Sequence, residues 1–190
     1  MTGYALFSTA IGVCAIAWTD RGVRRVCFPE ASEAATRARL LRGAPGVIEM
    51  DPPLAIAEAI AGITRLLRDG RADLTGVELD LEGVDAAERA ILEAARAIPA
   101  GTTVTYGDLA ARVGQPNGAR AVGAAMARNP CPIVVPCHRV LAAGGGFGGF
   151  SAPGGLESKA RLLTIERAAI GDAPSLFEDL PVSVRPPNSA

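Results

Sequence analysis

From Gly3 to Glu30, short apolar runs are broken at Ile11-Gly12 and again at Thr19-Asp20-Arg21-Gly22. Val13 to Trp18 is apolar on both faces, and Val23, Val26 and Phe28 follow the second break. The pattern predicts a small antiparallel sheet of two or three strands, with Cys14 and Cys27 as strand-core residues. Ser32 to Leu41 and Pro53 to Leu67 repeat at helical spacing, the second opening with proline in its first turn. Val77 to Leu81 predicts one more strand. Nothing in this half calls for chemistry.

The second half reads as mostly helical. Asp85 is an N-cap candidate for a helix to Ala97, with an apolar stripe through Ile91 and Leu92. Ile98-Pro99-Ala100-Gly101 ends it. Thr105 with Asp108 three residues on predicts a capping box for a short helix, Tyr106 to Val113. Gly114-Gln115-Pro116-Asn117-Gly118 is dense in turn formers, and Asn117 is the candidate cap of a second helix, Gly118 to Arg128. The pair predicts a helix-turn-helix. Its second helix is bare: Ala119, Ala121, Gly123, Ala124, Ala125 and Ala127 present little side chain, and only Arg120 and Arg128 project charge. Pro132 to Pro136 is apolar and bracketed by prolines, which predicts a buried extended segment. After a glycine-rich loop, Leu156 to Ala169 predicts a terminal helix with Leu156, Ala160 and Leu163 on its apolar side.

At 190 residues the chain suits one large or two small domains, and nearly half of it is apolar. No run is long enough to span a membrane, and no signal peptide is evident. Four unpatterned cysteines and one histidine fit a reducing cytoplasm without a disulfide framework, and leave too few ligands for a zinc site. No cofactor is implied. The net charge of −1 is unevenly spread. Residues 1–100 carry 11 Arg against 14 Asp and Glu, whereas residues 101–170 carry 7 Lys and Arg against 3 acids. The second half therefore carries a modest footprint for a polyanion.

The chemistry gathers at Pro136-Cys137-His138-Arg139-Val140, where the only histidine follows a cysteine directly. A thiolate is the nucleophile, so a nearby base or cation decides whether such a cysteine reacts. A His partner is expected to lower the Cys137 pKa below that of a free thiol, and the glycines at 144–149 let backbone approach a ligand closely.

Read as one stretch, Asn129 to Leu141 closely resembles the active-site signature of the O6-alkylguanine-DNA alkyltransferases, and the resemblance extends from about Gly83 to about Ala168. It departs at Ala87 and Leu92, where the family usually has Phe and Trp. It implies an α+β protein: an N-terminal RNase H-like domain over 1–82, a helical DNA-binding and catalytic domain over 83–170, and a disordered tail over 171–190. It further implies a suicidal transfer of the alkyl group from a flipped guanine in DNA to Cys137. By the same resemblance His138 is the base, acting through a water, and Glu166 orients it. Tyr106 donates its hydroxyl to the purine ring, and Asn129 ties the helix end to the active-site segment. Arg120 fills the gap left by the flipped base, while Ala119, Ala121, Gly123, Ala124 and Arg128 carry the helix into the minor groove. Met126, Phe150 and the backbones of Cys137, Val140 and Ser151 line the base pocket. Phe150 stands where the family often has tyrosine, and Ala152-Pro153 lengthens the loop.

The expected partner is double-stranded DNA carrying O6-alkylguanine, with O4-alkylthymine as a second candidate lesion, and the protein is expected to act as a monomer. Two other readings were weighed. A lesion sensor of this family would lack the acceptor cysteine, which is present. A cysteine hydrolase has no use for the helix-turn-helix. Ser175-Leu176-Phe177 in the tail weakly resembles a replication-clamp docking peptide, though packing on the chain's own domain is the simpler reading.

Overall fold

A computed structural model describes residues 2–168; the tail and its clamp-like peptide lie outside them. Three strands, β1 (Gly3–Thr9), β2 (Gly12–Thr19) and β3 (Gly22–Cys27), form the expected antiparallel sheet. Helix α1 (Glu33–Gly43) follows, then a two-residue strand β4 (Ile48–Glu49) that pairs parallel to β1, giving the order β3-β2-β1-β4. Two residues are too few for a periodic signal, so β4 was not legible in the sequence. β2 is buried on both faces for the reason its pattern implies. Cys14, Ile16 and Trp18 face the main core, whereas Ala15 and Ala17 face Leu40 of α1. Cys14 and Cys27 are indeed core residues, 0% and 2% exposed.

Helix α1 is capped by the Ser32 hydroxyl, which accepts from Ala35 N, a contact worth about 1 kcal/mol. Helix α2 (Leu54–Asp69) has Pro53 as its N-cap and ends at Gly70 in the left-handed region. Val77 to Leu81 is not a strand. It makes a single bridge, Val23 to Leu79, with Val23 N donating to Glu78 O and Asp80 N donating to Val23 O.

Helix α3 (Ala86–Arg96) starts on the Asp85 cap and buries Ile91, Leu92 and Ala95. Strand β5 (Val104–Thr105) runs into α4 (Tyr106–Arg112), whose Thr105–Asp108 capping box is complete. Helix α5 (Ala119–Arg128) begins at Gly118 with no side-chain cap, so Asn117 does not have the expected role. The Pro132 to Pro136 expectation also fails. The segment is buried but not extended: Val135 N donates back to Cys131 O, and Ile133 sits at φ 77°. A β-branched residue in that region costs on the order of 1–3 kcal/mol, which the surrounding contacts must offset.

One turn of 3-10 helix (Cys137–Arg139) then leads into β6 (Val140–Leu141), which pairs parallel to β5. Helix α6 (Gly155–Ile165) closes the described chain and packs on α2. Its buried side is Lys159, Leu162 and Leu163, while Leu156 is 48% exposed and not a core residue. The helix stops at Glu166, and Ala169 lies outside the described residues. The largest cluster of buried apolar side chains runs through both halves, from Trp18 and Ile63 to Leu92, Leu109 and Val135. Among the described residues no helix is long and apolar enough to cross a membrane.

Candidate active site

Cys137 is delivered by three consecutive turns. Asn129, at the end of α5, accepts from Cys131 N at 3.0 Å and donates to Val135 O at 2.8 Å, stapling the strained turn at Ile133. Pro136 (φ −81°, ψ 68°) makes an inverse γ-turn, with Cys137 N donating to Val135 O at 2.9 Å. The 3-10 turn then sends Cys137 to a cavity wall and His138 inward. Asn129 thus links the end of α5 to this segment through both hydrogen bonds.

His138 is fully buried, and its Nε2 lies 3.0 Å from Glu166 Oε1. A carboxylate only accepts, so Nε2 carries the ring proton and Nδ1 keeps the free lone pair. That Nδ1 is buried and hydrogen-bonds to no protein group among the described residues. Burial pushes the His138 pKa down, against the pull of Glu166, so the ring is a neutral base. Burial also acts on Glu166, but hydrogen bonds from His138 and Arg139 overcome it and hold the carboxyl at about 2.

Two residues that were not singled out in the sequence complete the arrangement. Arg139 is buried beside its histidine and forks onto Glu166, Nε to Oε2 at 2.8 Å and Nη2 to Oε1 at 2.7 Å, while Nη1 donates to Ile98 O at 2.5 Å. Its place next to His138 was the available signal. Lys159 is fully buried with Nζ donating to Val140 O at 2.7 Å and to Phe147 O. The ammonium lies 5.8 Å from the Tyr106 ring centroid and 6.0 Å from that of Phe150. Desolvation lowers its pKa to about 8. It is the only lysine in the chain, which is the signal that could have found it.

The Cys137 thiol differs from expectation. Burial raises its pKa, outweighing the opposing pull of the Asn129 hydrogen bond and the Lys159 charge. Burial thus favours the neutral thiol over the thiolate. Cys131, fully buried with its pKa pushed up to about 12, is an inert core residue.

A cavity of about 410 Å³ opens on Cys137, walled by Tyr106, Gly123, Met126, Ala127, Phe150 and Ser151. Burial, then the Cys137 charge, raise the Tyr106 pKa, so its hydroxyl stays a donor. The loop comes close to this ring at Gly148 (φ +64°), where a Cβ would lie 3.0 Å from Tyr106 Cε2. Phe150 meets Phe28 of the N-terminal half edge-on, centroids 5.9 Å apart, and a second cavity of similar size, which also opens on Cys137, shares Phe150 and Ser151 with the first. Val140 is fully buried and lies outside the walls of either cavity, with its carbonyl engaged by Lys159.

The outer face of α5 borders this cavity at Gly123 and Ala127. Ala119, Arg120, Ala121 and Ala127 are exposed, Gly123 and Ala124 half-buried, and Val122, Ala125 and Met126 face inward. Arg120 forms no ion pair among the described residues, whereas Arg128 is not free, being held by Glu88 at 3.0 Å.

A buried thiol on a cavity wall, followed by a histidine chained to a carboxylate, defines a cysteine-nucleophile protein of mixed α+β architecture. Comparison with known proteins narrows the class. The 6-O-methylguanine DNA methyltransferase DNA-binding domain profile matches residues 86–168. A methylated-DNA–protein-cysteine methyltransferase of Methanothermobacter thermautotrophicus is 32% identical over 155 residues, covering 82% of this chain and 80% of the relative. The Mycobacterium leprae protein of the same name is 40% identical over 124 residues, 65% of this chain and 73% of the relative. The crystal structure of Mycobacterium tuberculosis OGT in complex with DNA superposes with a TM-score of 0.67 at 29% identity, covering 87% of this chain and 92% of that one. The chain belongs to the methylated-DNA–protein-cysteine methyltransferase family.

Proposed function

We propose that this protein repairs DNA by moving an alkyl group from O6 of guanine onto Cys137, once per molecule. The observation that carries the reading is the single cavity wall shared by Cys137, Tyr106 and Phe150, with His138 and Glu166 immediately behind it. The partner is DNA, as in the tuberculosis relative's complex. Duplex DNA carrying O6-alkylguanine is the substrate we assign, bound by one copy of the chain.

In our reading residues 1–82 are an RNase H-like domain and residues 83–170 the DNA-binding and catalytic domain, with α4 and α5 as its helix-turn-helix. The bare face of α5 lets it approach the duplex backbone closely, with Arg120 inserted where the lesion leaves the stack. Flipping costs a few kcal/mol, least for a poorly paired base. The base stacks on Phe150, and the Ser151 and Cys137 backbones line its pocket. His138 Nδ1 takes the thiol proton through a water. Sγ then attacks the alkyl carbon, the carbon–oxygen bond breaks, and its electron pair leaves with the guanine. Tyr106 supplies a hydrogen bond to the departing purine. The product is a thioether, and among the described residues no group is placed to release it.

Intact-protein mass spectrometry after incubation with O6-methylguanine duplex tests the reading. One methyl per chain, mapped to Cys137, is expected. Modification at Cys131, repeated turnover, or tight binding without modification would overturn it, the last in favour of the sensor reading.

A further inference from the structure

Glu166 is held from two directions. Its carboxylate is fixed by His138, by Arg139 and by Gly101 N at 3.4 Å, all from the C-terminal half. Its backbone is met by the N-terminal half. Gly70, the left-handed cap of α2 (φ +73°), is buried directly against the end of α6. A Cβ at Gly70 would collide with the Ile165 carbonyl oxygen and lie 2.7 Å from Glu166 Cα. Both are backbone atoms, so neither can rotate away. The neighbouring chain is itself constrained: Arg167 takes φ 52°, with Arg167 N donating to Thr164 O and Ala168 N to Leu163 O. On its other flank Arg139 borders a cavity of about 310 Å³ beside Arg96 and Asp73, so that side offers less resistance to movement.

We propose that Gly70 is a positioning residue for the transfer reaction: the end of α2 sets where Glu166 sits and so orients His138. The N-terminal half then acts in the chemistry without contributing a reacting group. The inference rests on the proposed transfer to Cys137. The charged and titratable groups around the relay are Cys137, His138 and Arg139 on the 3-10 turn, Lys159 and Glu166 at α6, Tyr106 on α4, and Arg96 and Asp73 beside Arg139. Arg68 and Asp69 at the end of α2 pair with each other at 3.1 Å, and neither Ala nor Asn adds a charge at Gly70, so a substitution there acts through geometry.

The test measures transfer from free O6-benzylguanine base, which needs no flipping, across pH 6 to 10. Gly70→Ala is expected to slow transfer roughly tenfold, since an ångström of misplacement can cost about a hundredfold. The rate–pH curve should also move alkaline, because a misaligned histidine is a poorer base. Gly70→Asn, which tolerates the left-handed backbone but still carries a Cβ, should do the same. Gly46→Ala is the control, with φ +80° and open space around it, and should leave the curve in place. In a Glu166→Gln background Gly70→Ala should add less than about twofold, because the two act through one contact. Additive losses, an unmoved pH curve in a folded variant, or failure of both Gly70 variants to fold would overturn the positioning role. A wild type that never modifies Cys137 would instead remove the reading beneath it.

Discussion

His138 Nε2 and Glu166 Oε1 lie 3.0 Å apart across 28 residues of chain, at the meeting of the 3-10 turn and the end of α6. Because the carboxylate fixes the tautomer, His138→Gln should cut transfer by about 100-fold or more and move the rate–pH curve alkaline. Glu166→Gln should slow transfer less, yet destabilise the fold more. It leaves the Arg139 charge buried without its partner, which typically costs about 3–5 kcal/mol. Single-turnover rates and urea unfolding of both variants separate the two effects.

Lys159 should reveal itself as a residue whose loss harms function more than stability. Its depressed pKa, about 8, means the buried ammonium costs stability below that pH. Lys159→Met removes this cost but leaves the Val140 and Phe147 carbonyls without their donor, a penalty of about 1–3 kcal/mol each when buried. The terms oppose, so unfolding free energy should change little while transfer slows roughly tenfold. A large fall in stability with unchanged transfer would make Lys159 a packing residue.

Phe150 offers a face and no hydroxyl. Stacking on an aromatic ring is worth about 1–3 kcal/mol per base, so Phe150→Ala should weaken transfer roughly tenfold or more. Phe150→Tyr should change it mildly. Equal rates for wild type and Phe150→Ala would mean the base does not reach this wall.

Arg120 and Arg128 should not behave alike. Arg120 is exposed and forms no ion pair among the described residues, whereas Arg128 is engaged by Glu88. Arg120→Ala should lose repair of duplex DNA but react with free alkylguanine base nearly as wild type does. Arg128→Ala should barely alter duplex affinity. Salt should weaken binding with a shallow slope, since α5 carries only two cations, Arg120 and Arg128, and Glu88 engages the second. Equal impairment of Arg120→Ala toward duplex and free base would make it a fold residue.

Acid should destabilise the protein in two successive steps of the same sign. His138 has a folded pKa below its usual 6.5, so the unfolded chain takes up the proton first and stability declines as pH falls through that value. Glu166 and Asp80, both held near 2, stabilise above their ordinary carboxylate pKa values and lose that contribution as pH falls toward 2. Replacing His138 with Gln should remove the first decline in a pH series of denaturant midpoints.

Local signals in the sequence carried the secondary structure well where they were short-range. The Thr105–Asp108 capping box, the Asp85 and Ser32 caps and the two-faced apolar run of β2 are set by residues within a few positions of each other. The strand expected at Val77 and the extended segment before Cys137 failed for a common reason. Pairing partners and the strain at Ile133 are imposed by tertiary neighbours, and apolar runs read the same in a strand and in a buried turn. Cys137 and His138 were visible because they are adjacent and the histidine is unique. Only the packing of α6 against the 3-10 turn and α2 brings Glu166, Lys159 and Gly70 to them and sets Glu166 against Arg139. That packing also decides the state of the thiol. Sequence proximity of a histidine argues for a lowered pKa, but burial removes water from the thiolate, and that loss outweighs what Asn129 and Lys159 return.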